Sequence, residues 1–227
     1  MKNIVIVGGS KGIGKAILEK QVQDNYVHNL SRSQPEISNF NLKHYSVNIL
    51  EDELPTIEEV DTLIYCPGSI TLKPILNLTL DTFRNDYEIN VIGAVRAIQH
   101  FLPPLKKSPN ANILLFSTVA VKLGMPFHAS IAAAKAGVEG LVRTLGAELA
   151  STVRVNAIAP TITETELSSS ILRNDRMKLL MKERHPLKNY LQPEEVAGLA
   201  DYLISDSAKS ISGQVFQMDY GMVSFKI

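Results

Sequence analysis

The sequence predicts a single α/β domain: a doubly wound parallel sheet of about seven strands, flanked by helices on both faces. Three observations carry that expectation. Apolar runs alternate with amphipathic stretches along the whole chain. With 227 residues, 45% of them hydrophobic, the chain can bury one large core. A glycine-rich turn directly follows the first apolar run and opens the first amphipathic one. No internal repeat, low-complexity segment or long linker divides the sequence, so residues 1–227 read as one domain.

Asn3–Val7 (NIVIV) reads as a buried first strand, and Lys11–Val22 as a helix entered through the glycine turn. Tyr26–Leu30 and His44–Val47 read as the next two strands. The interval between them is close to the minimum of about a dozen residues for a right-handed crossover. Pro35 lies inside it, so any helix there is expected to be short or absent. Asp61–Cys66 (DTLIYC) reads as the fourth strand, ended by Pro67-Gly68, and Leu80–Leu102 as a long amphipathic helix stopped by Pro103-Pro104. Asn112–Ser117 is the expected fifth strand. An Ala-rich helix over Ser130–Ala150 follows, with Ser130 at its N-cap. Val153–Ile158 is the sixth strand. Glu164–Lys188 reads as a helical excursion within a mobile, substrate-covering segment near 163–190. Pro193–Ser205 is a helix with proline in its first turn, and Gln214–Met218 the last strand.

Composition narrows the function classes. Lys+Arg and Asp+Glu are both 23, so no basic excess points to nucleic acid or to an anionic membrane surface. No apolar run approaches the roughly 18 residues of a membrane span. The apolar run in MKNIVIVGGS is too short for a secretory signal. Cys66 is the only cysteine, which excludes an intrachain disulfide and a Cys-rich zinc site. No metal is expected, and a reduced, cytoplasmic setting is.

Gly8-Gly9-Ser10-Lys11-Gly12-Ile13-Gly14 follows a strand and opens a helix. Glycines in that context permit a tight turn, close backbone approach to a pyrophosphate, and close helix–strand packing. The helix N-terminus then offers free N–H groups and a partial positive charge to the phosphates, the Rossmann-type dinucleotide cradle. The second strand ends His28-Asn29-Leu30-Ser31-Arg32-Ser33, without the carboxylate that an NAD site places against the ribose 2′-hydroxyl. Ser31 and Arg32, with Lys11 as a second cation, suit a 2′-phosphate, so NADP(H) is the expected cofactor. The competing reading makes these residues solvated surface groups.

The order of motifs extends this picture. Gly8-x3-Gly12-x-Gly14 is followed by Asn48-Ile49, Cys66-Pro67-Gly68, Asn90, Ser117-Thr118 and Lys135. Ala136-Gly137-Val138-Glu139-Gly140-Leu141, Arg154-Val155-Asn156-x3-Pro160-Thr161, Pro193-Glu194-Glu195-Val196-Ala197, Ser212-Gly213-Gln214-Val215 and Asp219-Tyr220-Gly221 complete the series. In these residues the chain resembles the short-chain dehydrogenase/reductase family from end to end. The resemblance implies cofactor contacts at Gly8, Ser10, Lys11, Gly12, Ile13 and Gly14, at Ser31 and Arg32, and at Asn48 and Ile49 beside the adenine. It implies others at Cys66, Pro67, Gly68, Asn90, Lys135, Pro160, Thr163 and Thr165. It implies a catalytic set of Asn90, Thr118 and Lys135. It also implies a homodimer or homotetramer built on the helices over 80–102 and 130–150.

The resemblance fails at one position. The family's Tyr-x3-Lys becomes Ile131-Ala132-Ala133-Ala134-Lys135. In the family the phenol protonates the substrate oxygen as hydride arrives, and the lysine one turn later lowers the phenol's pKa and holds the nicotinamide ribose. Isoleucine has no proton to give, and general acid–base catalysis is worth about 10²–10⁴-fold. Candidate replacements are the hydroxyls of Ser117 and Thr118 and the imidazole of His128, for which a solvated loop histidine is the competing reading. Tyr87, Tyr190 and Tyr220 read as structural, and Cys66 as a buried inert thiol. The expected function is therefore an atypical NADP(H)-dependent oxidoreductase. Its substrate would be a small organic molecule with a carbonyl, activated C=C or C=N bond. The alternative is a non-catalytic NADP(H)-binding module, a sensor or partner subunit.

Overall fold

A computed structural model describes residues 1–225. Seven parallel strands lie in the order β3-β2-β1-β4-β5-β6-β7. They are β1 (Asn3–Val7), β2 (Tyr26–Ser31), β3 (Leu42–Ser46), β4 (Thr62–Tyr65), β5 (Ala111–Phe116), β6 (Val153–Pro160) and β7 (Val215–Met218). The central strands are near-continuous apolar runs because helices cover both of their faces. Edge strands β3 and β7 are only partly buried. Alternate residues feed two cores. Val5, Leu63, Ile113 and Val155 face one side, against Val91, Phe101, Val138 and Val142. Ile4, Ile6, Ile64 and Leu114 face the other, against Ile17, Leu18, Val196 and Leu203.

The helices are α1 (Gly12–Gln21), α2 (Leu80–Tyr87), α3 (Gly93–Leu105), α4 (Ala129–Glu148), α5 (Asp175–Arg184) and α6 (Pro193–Ile204). From β1 the chain builds outward through β2 to β3, then crosses back so that β4 pairs with the other edge of β1. That reversal leaves a crevice beyond the carboxyl ends of β1 and β4, the place where ligands enter open α/β sheets. The link from β2 to β3 contains no helix, in keeping with its length and Pro35.

The structure corrects four local expectations. The helix predicted over Leu80–Leu102 is interrupted: Glu88–Ile92 forms a π-type turn between α2 and α3. There Gly93 N–H reaches Glu88 O instead of Ile89 O, and the Tyr65 hydroxyl donates to Ile89 O at 2.6 Å. Only glycine fits at 93, since a Cβ would lie 2.1 Å from the Tyr65 oxygen. Pro103 and Pro104 do not stop the helix but lie inside its last turn. Little chain follows that a bend would displace there, and Lys106 N–H still closes on Leu102 O at 3.0 Å. Ser130 does not cap α4. His128 holds that position, Ala132 N–H bonds to His128 O at 2.8 Å, and Ser130 is buried inside the first turn.

Between Thr163 and Leu191, which form an isolated parallel bridge, the chain makes a short 3₁₀ turn at Glu166–Ser168 and then α5. Helix is confined to these stretches rather than spanning Glu164–Lys188. Asn174 starts α5 by accepting from Met177 N–H at 3.0 Å. The base of the excursion is tied by Glu164, which accepts from Lys178, from Tyr190 at 3.0 Å and from Gln192 at 3.2 Å. Tyr190 is thus structural. Among the described residues no helix is long and apolar enough to cross a membrane, and no group of acidic, His or Cys side chains is placed to hold a metal.

Candidate active site

The glycine turn sits at the carboxyl end of β1. Gly8 has φ +80°, a left-handed conformation that favours glycine. A Cβ on Gly14 would stand 2.2 Å from Gly8 O, so only glycine lets α1 pack this close to the turn. The N-cap residue Lys11 makes no side-chain cap, which leaves the first N–H groups of α1 free for an anion. The Lys11 ammonium pairs with Glu166 at 2.6 Å, both side chains largely exposed. Such pairs are weak in water and exchange readily.

At the end of β2, Ser31 is buried. Its hydroxyl accepts from Asn29 Nδ2 and donates to Ser33 O, both at 3.0 Å. Arg32 and Ser33 are the exposed groups, and Ser33 Oγ lies 3.1 Å from Ser10 Oγ, joining strand end and glycine turn into one polar rim. Ser33 was not among the sequence candidates. Asn48 shapes its own turn, its Oδ1 accepting from Leu50 N–H at 3.2 Å and its Nδ2 donating to Glu51 at 2.9 Å, while Ile49 is buried. Pro67 packs on Gly8, where a Cβ would meet its ring at 3.0 Å. Burial pushes the Cys66 thiol up to about 12, so it stays protonated and unreactive at neutral pH.

A cavity of about 460 Å³ opens beside these elements. Ile13, Cys66 and Gly68 line it near the glycine turn. Thr118, Ile131 and Lys135 also line it, as do Thr161, just after β6, and Thr163, Thr165 and Leu167 from the excursion. Ile131 is 5% exposed and sits one helical turn before Lys135 on the same wall. Lys135 Nζ donates to Phe116 O at 2.8 Å, and burial lowers its pKa to about 8. Thr118 is half-buried, its Oγ1 accepting from Ala120 N–H at 3.3 Å. Ser117 is spoken for: its hydroxyl donates to buried Glu139 at 2.9 Å. His128 lines the cavity mouth with Nδ1 2.7 Å from Pro126 O, which makes Nδ1 the donor and Nε2 the free nitrogen.

Asn90 lies one layer behind the cavity wall, in the widened π-type turn. Its Nδ2 donates to Asp86 O at 2.7 Å and to Ser69 Oγ at 3.1 Å. Its Oδ1 faces the backbone of Gly68, where an added Cβ would stand 3.5 Å from Asn90 Oδ1 and 3.7 Å from Lys135 Nζ. Two polar pairs escaped the sequence reading. Ser69 Oγ donates to buried Asp86 Oδ1 at 2.5 Å. On the opposite side, Thr161 Oγ1 donates to His185 Nε2 at 2.8 Å while Nδ1 bonds to Met181 O at 2.6 Å. Burial holds His185 below its ordinary pKa. Asp86 had a signal, standing one turn before Asn90. His185 had none, since no periodicity surrounds it.

A family model described as enoyl-(acyl carrier protein) reductase matches residues 47–223. A tropinone reductase homolog of Arabidopsis thaliana is 30% identical over 242 residues, covering 97% of this chain and 91% of its own. Among solved structures, a short chain dehydrogenase family protein from Francisella tularensis superposes with a TM-score of 0.90 at 23% identity, covering 99% of this chain and 100% of that one. ElxO with NADP bound superposes with a TM-score of 0.86 at 23% identity, again over 99% and 100%. Strand order, glycine turn and these matches converge: the chain belongs to the short-chain dehydrogenase/reductase family.

Proposed function

We propose that the chain is an NADP(H)-dependent oxidoreductase that moves hydride between the nicotinamide and a small organic substrate bearing a carbonyl, an activated C=C or a C=N bond. One observation carries the reading: a single cavity runs from Ile13 in the phosphate-binding turn to Thr118, Ile131 and Lys135. A dinucleotide with its phosphates on α1 thereby ends beside the lysine. The residues fit such a group, because the cradle has no room for side chains at Gly14 and leaves helix N–H groups free. Solved neighbours hold NADP in ElxO and NADH in 4-hydroxyisoleucine dehydrogenase, which supports a nicotinamide cofactor.

Bound there, the cofactor supplies or accepts hydride. The chain supplies the rest. The N–H groups of α1 would hold the pyrophosphate, and Arg32, Ser33 and Ser10 would take the 2′-phosphate. Lys135 has N–H groups beyond its bond to Phe116 O for the ribose hydroxyls. Thr118 orients the polar atom of the substrate. The excursion over 163–190 would cover it, and Thr163 and Thr165, which line the same cavity, would contact the cofactor. Ile131 gives no proton, so acceptors needing no strong acid are favoured over simple ketones. The missing phenol and the committed Ser117 hydroxyl favour a second reading, a cofactor-binding module without turnover. NADPH oxidation measured with a ketone, an enone and an imine separates the two. Turnover of the enone or imine supports the enzyme; NADPH binding with no turnover of any of the three supports the module.

A homodimer or homotetramer is expected, in a reduced cytoplasmic setting. Gly137 is used inside the subunit, since a Cβ there would meet Val91 at 3.2 Å. Gly140 has open space above it, and Tyr87 and Ile92 are exposed large hydrophobics in the segment packed beside α4. Such a surface suits close self-association. Light scattering at micromolar concentration should give a dimer or tetramer mass, and a monomer mass would remove this part of the account.

A further inference from the structure

Behind Gly68 lies a buried polar cluster in which some groups have no partner among the described residues. Asp86 on α2 is 2% exposed. Ser69 satisfies its Oδ1, but its Oδ2 finds no hydrogen-bond partner among the described residues. Asn90 Oδ1 is likewise buried without a donor. Among the described residues, Lys135 Nζ bonds only to Phe116 O and has N–H groups to spare. Asn90 Oδ1 and Lys135 Nζ both lie beside Gly68, and Asp86 joins them through Ser69, whose hydroxyl donates to Asp86 Oδ1 and accepts from Asn90 Nδ2. Leaving a carboxylate buried with a bare oxygen is costly unless a positive charge compensates it.

We propose that Lys135 is the proton donor of this site and that Asp86 is the counter-charge that keeps it an ammonium until hydride arrives. The proposal rests on the hydride-transfer reading. As hydride bonds to the electrophilic carbon of the acceptor, the π pair of C=O, C=C or C=N shifts to the partner atom. That atom forms a bond to one Nζ proton, the N–H bond breaks, and Lys135 is left as a neutral amine. A proton from solvent restores the ammonium once product has left. In this arrangement Asp86 is a positioning residue and Lys135 the catalytic one.

The groups facing Lys135 agree with this assignment. Burial drives its pKa down, to about 8, while Cys66, just after β4, and Asp86 on α2 act in the opposite sense. Cys66 carries no charge at neutral pH, because burial pushes its thiol up to about 12. Asp86 is therefore the acting charge. Phe116 on β5 contributes a neutral carbonyl, and Glu139, one turn further along α4, is held by Ser117 and Arg143.

The test reads Lys135 directly. Protein carrying lysine labelled at ¹³Cε is titrated by NMR, and Lys135→Met identifies the resonance. The native midpoint is expected near 8. It should lie about one pH unit lower in Asp86→Asn, and within a few tenths of native in Asp86→Glu, which keeps the charge. An unchanged midpoint in Asp86→Asn overturns the counter-charge. If Asp86→Asn does not melt cooperatively, the native and Asp86→Glu midpoints decide. A native midpoint above about 10, where an unperturbed lysine titrates, or an Asp86→Glu midpoint a full unit below native, overturns it.

Rates complete the test. In NADPH oxidation with the ketone, enone and imine acceptors, kcat should fall as pH rises through the Lys135 midpoint. That limb should move down in Asp86→Asn, with NADPH affinity by fluorescence changed less than about threefold. A limb that stays in place, or that His128→Asn abolishes, overturns Lys135 as donor while leaving the hydride reading intact. NADPH binding with no turnover of any acceptor at any pH overturns the donor role together with that reading.

Discussion

Replacing Ile131 by tyrosine should raise the reduction of a simple ketone by about 10²–10⁴-fold, the usual contribution of a positioned general acid. Ile131 lies on the cavity wall one helical turn before Lys135, so a phenol placed there points into the cavity of about 460 Å³ rather than into packed core. Lys135 is already in place to lower the phenol's pKa, and Thr118 to hold the substrate oxygen. The check is NADPH oxidation with one aliphatic ketone, native chain against Ile131→Tyr, with thermal melts to confirm that both are folded. Equal rates, or a native rate already as high as the variant's, would show that the missing phenol does not limit this site.

Arg32→Ala should remove the preference for NADPH over NADH. Arg32 is exposed at the end of β2 beside Ser33, whose hydroxyl touches Ser10 in the glycine turn. No carboxylate stands at this strand end to bind a free 2′-hydroxyl or to repel a 2′-phosphate. A hydrogen bond to a charged group is worth about 1.5–3 kcal/mol, which corresponds to roughly ten- to a hundredfold in affinity. Calorimetric titration should show that loss for NADPH and almost none for NADH. Lys11→Ala should do less, because the Glu166 carboxylate beside Lys11 offsets its charge toward an anion. Equal losses for both cofactors would place Arg32 outside the 2′-phosphate contact.

Much of the fold was legible because its signals are local. Asn3–Val7 and its glycine turn announce strand, turn and helix within 14 residues, and every strand is found within two residues of its expected start. What escaped depends on neighbours distant in sequence. The break at Glu88–Ile92 is stabilised by Tyr65, a strand residue, and a period-counting argument along one helix cannot register it. Pro103 and Pro104 were read by their general effect on helices, which is small in a last turn. At the site, Lys135, Thr118 and Asn90 were implied by the family resemblance, and the structure brings the first two to one cavity and sets the third behind it. Asp86, Ser69, Thr161 and His185 were not found, because each gains its meaning from a partner at least 17 residues away. Ser31 was read as a ligand from its position, whereas its hydroxyl turns inward to Asn29 and the carbonyl of Ser33.

The proposed site is one cavity that takes NADP(H) from the glycine turn to Lys135 without a phenol beside it. A crystal structure of the chain with NADP⁺ tests it most directly. The pyrophosphate should lie on the N–H groups at the start of α1, the 2′-phosphate against Arg32 and Ser33, and the nicotinamide ribose within hydrogen-bonding distance of Lys135 Nζ. Ile131 should then stand beside the nicotinamide with no tyrosine hydroxyl near its C4. A dinucleotide bound elsewhere, a ribose out of reach of Lys135, or a tyrosine from another segment or subunit standing over C4 would contradict it.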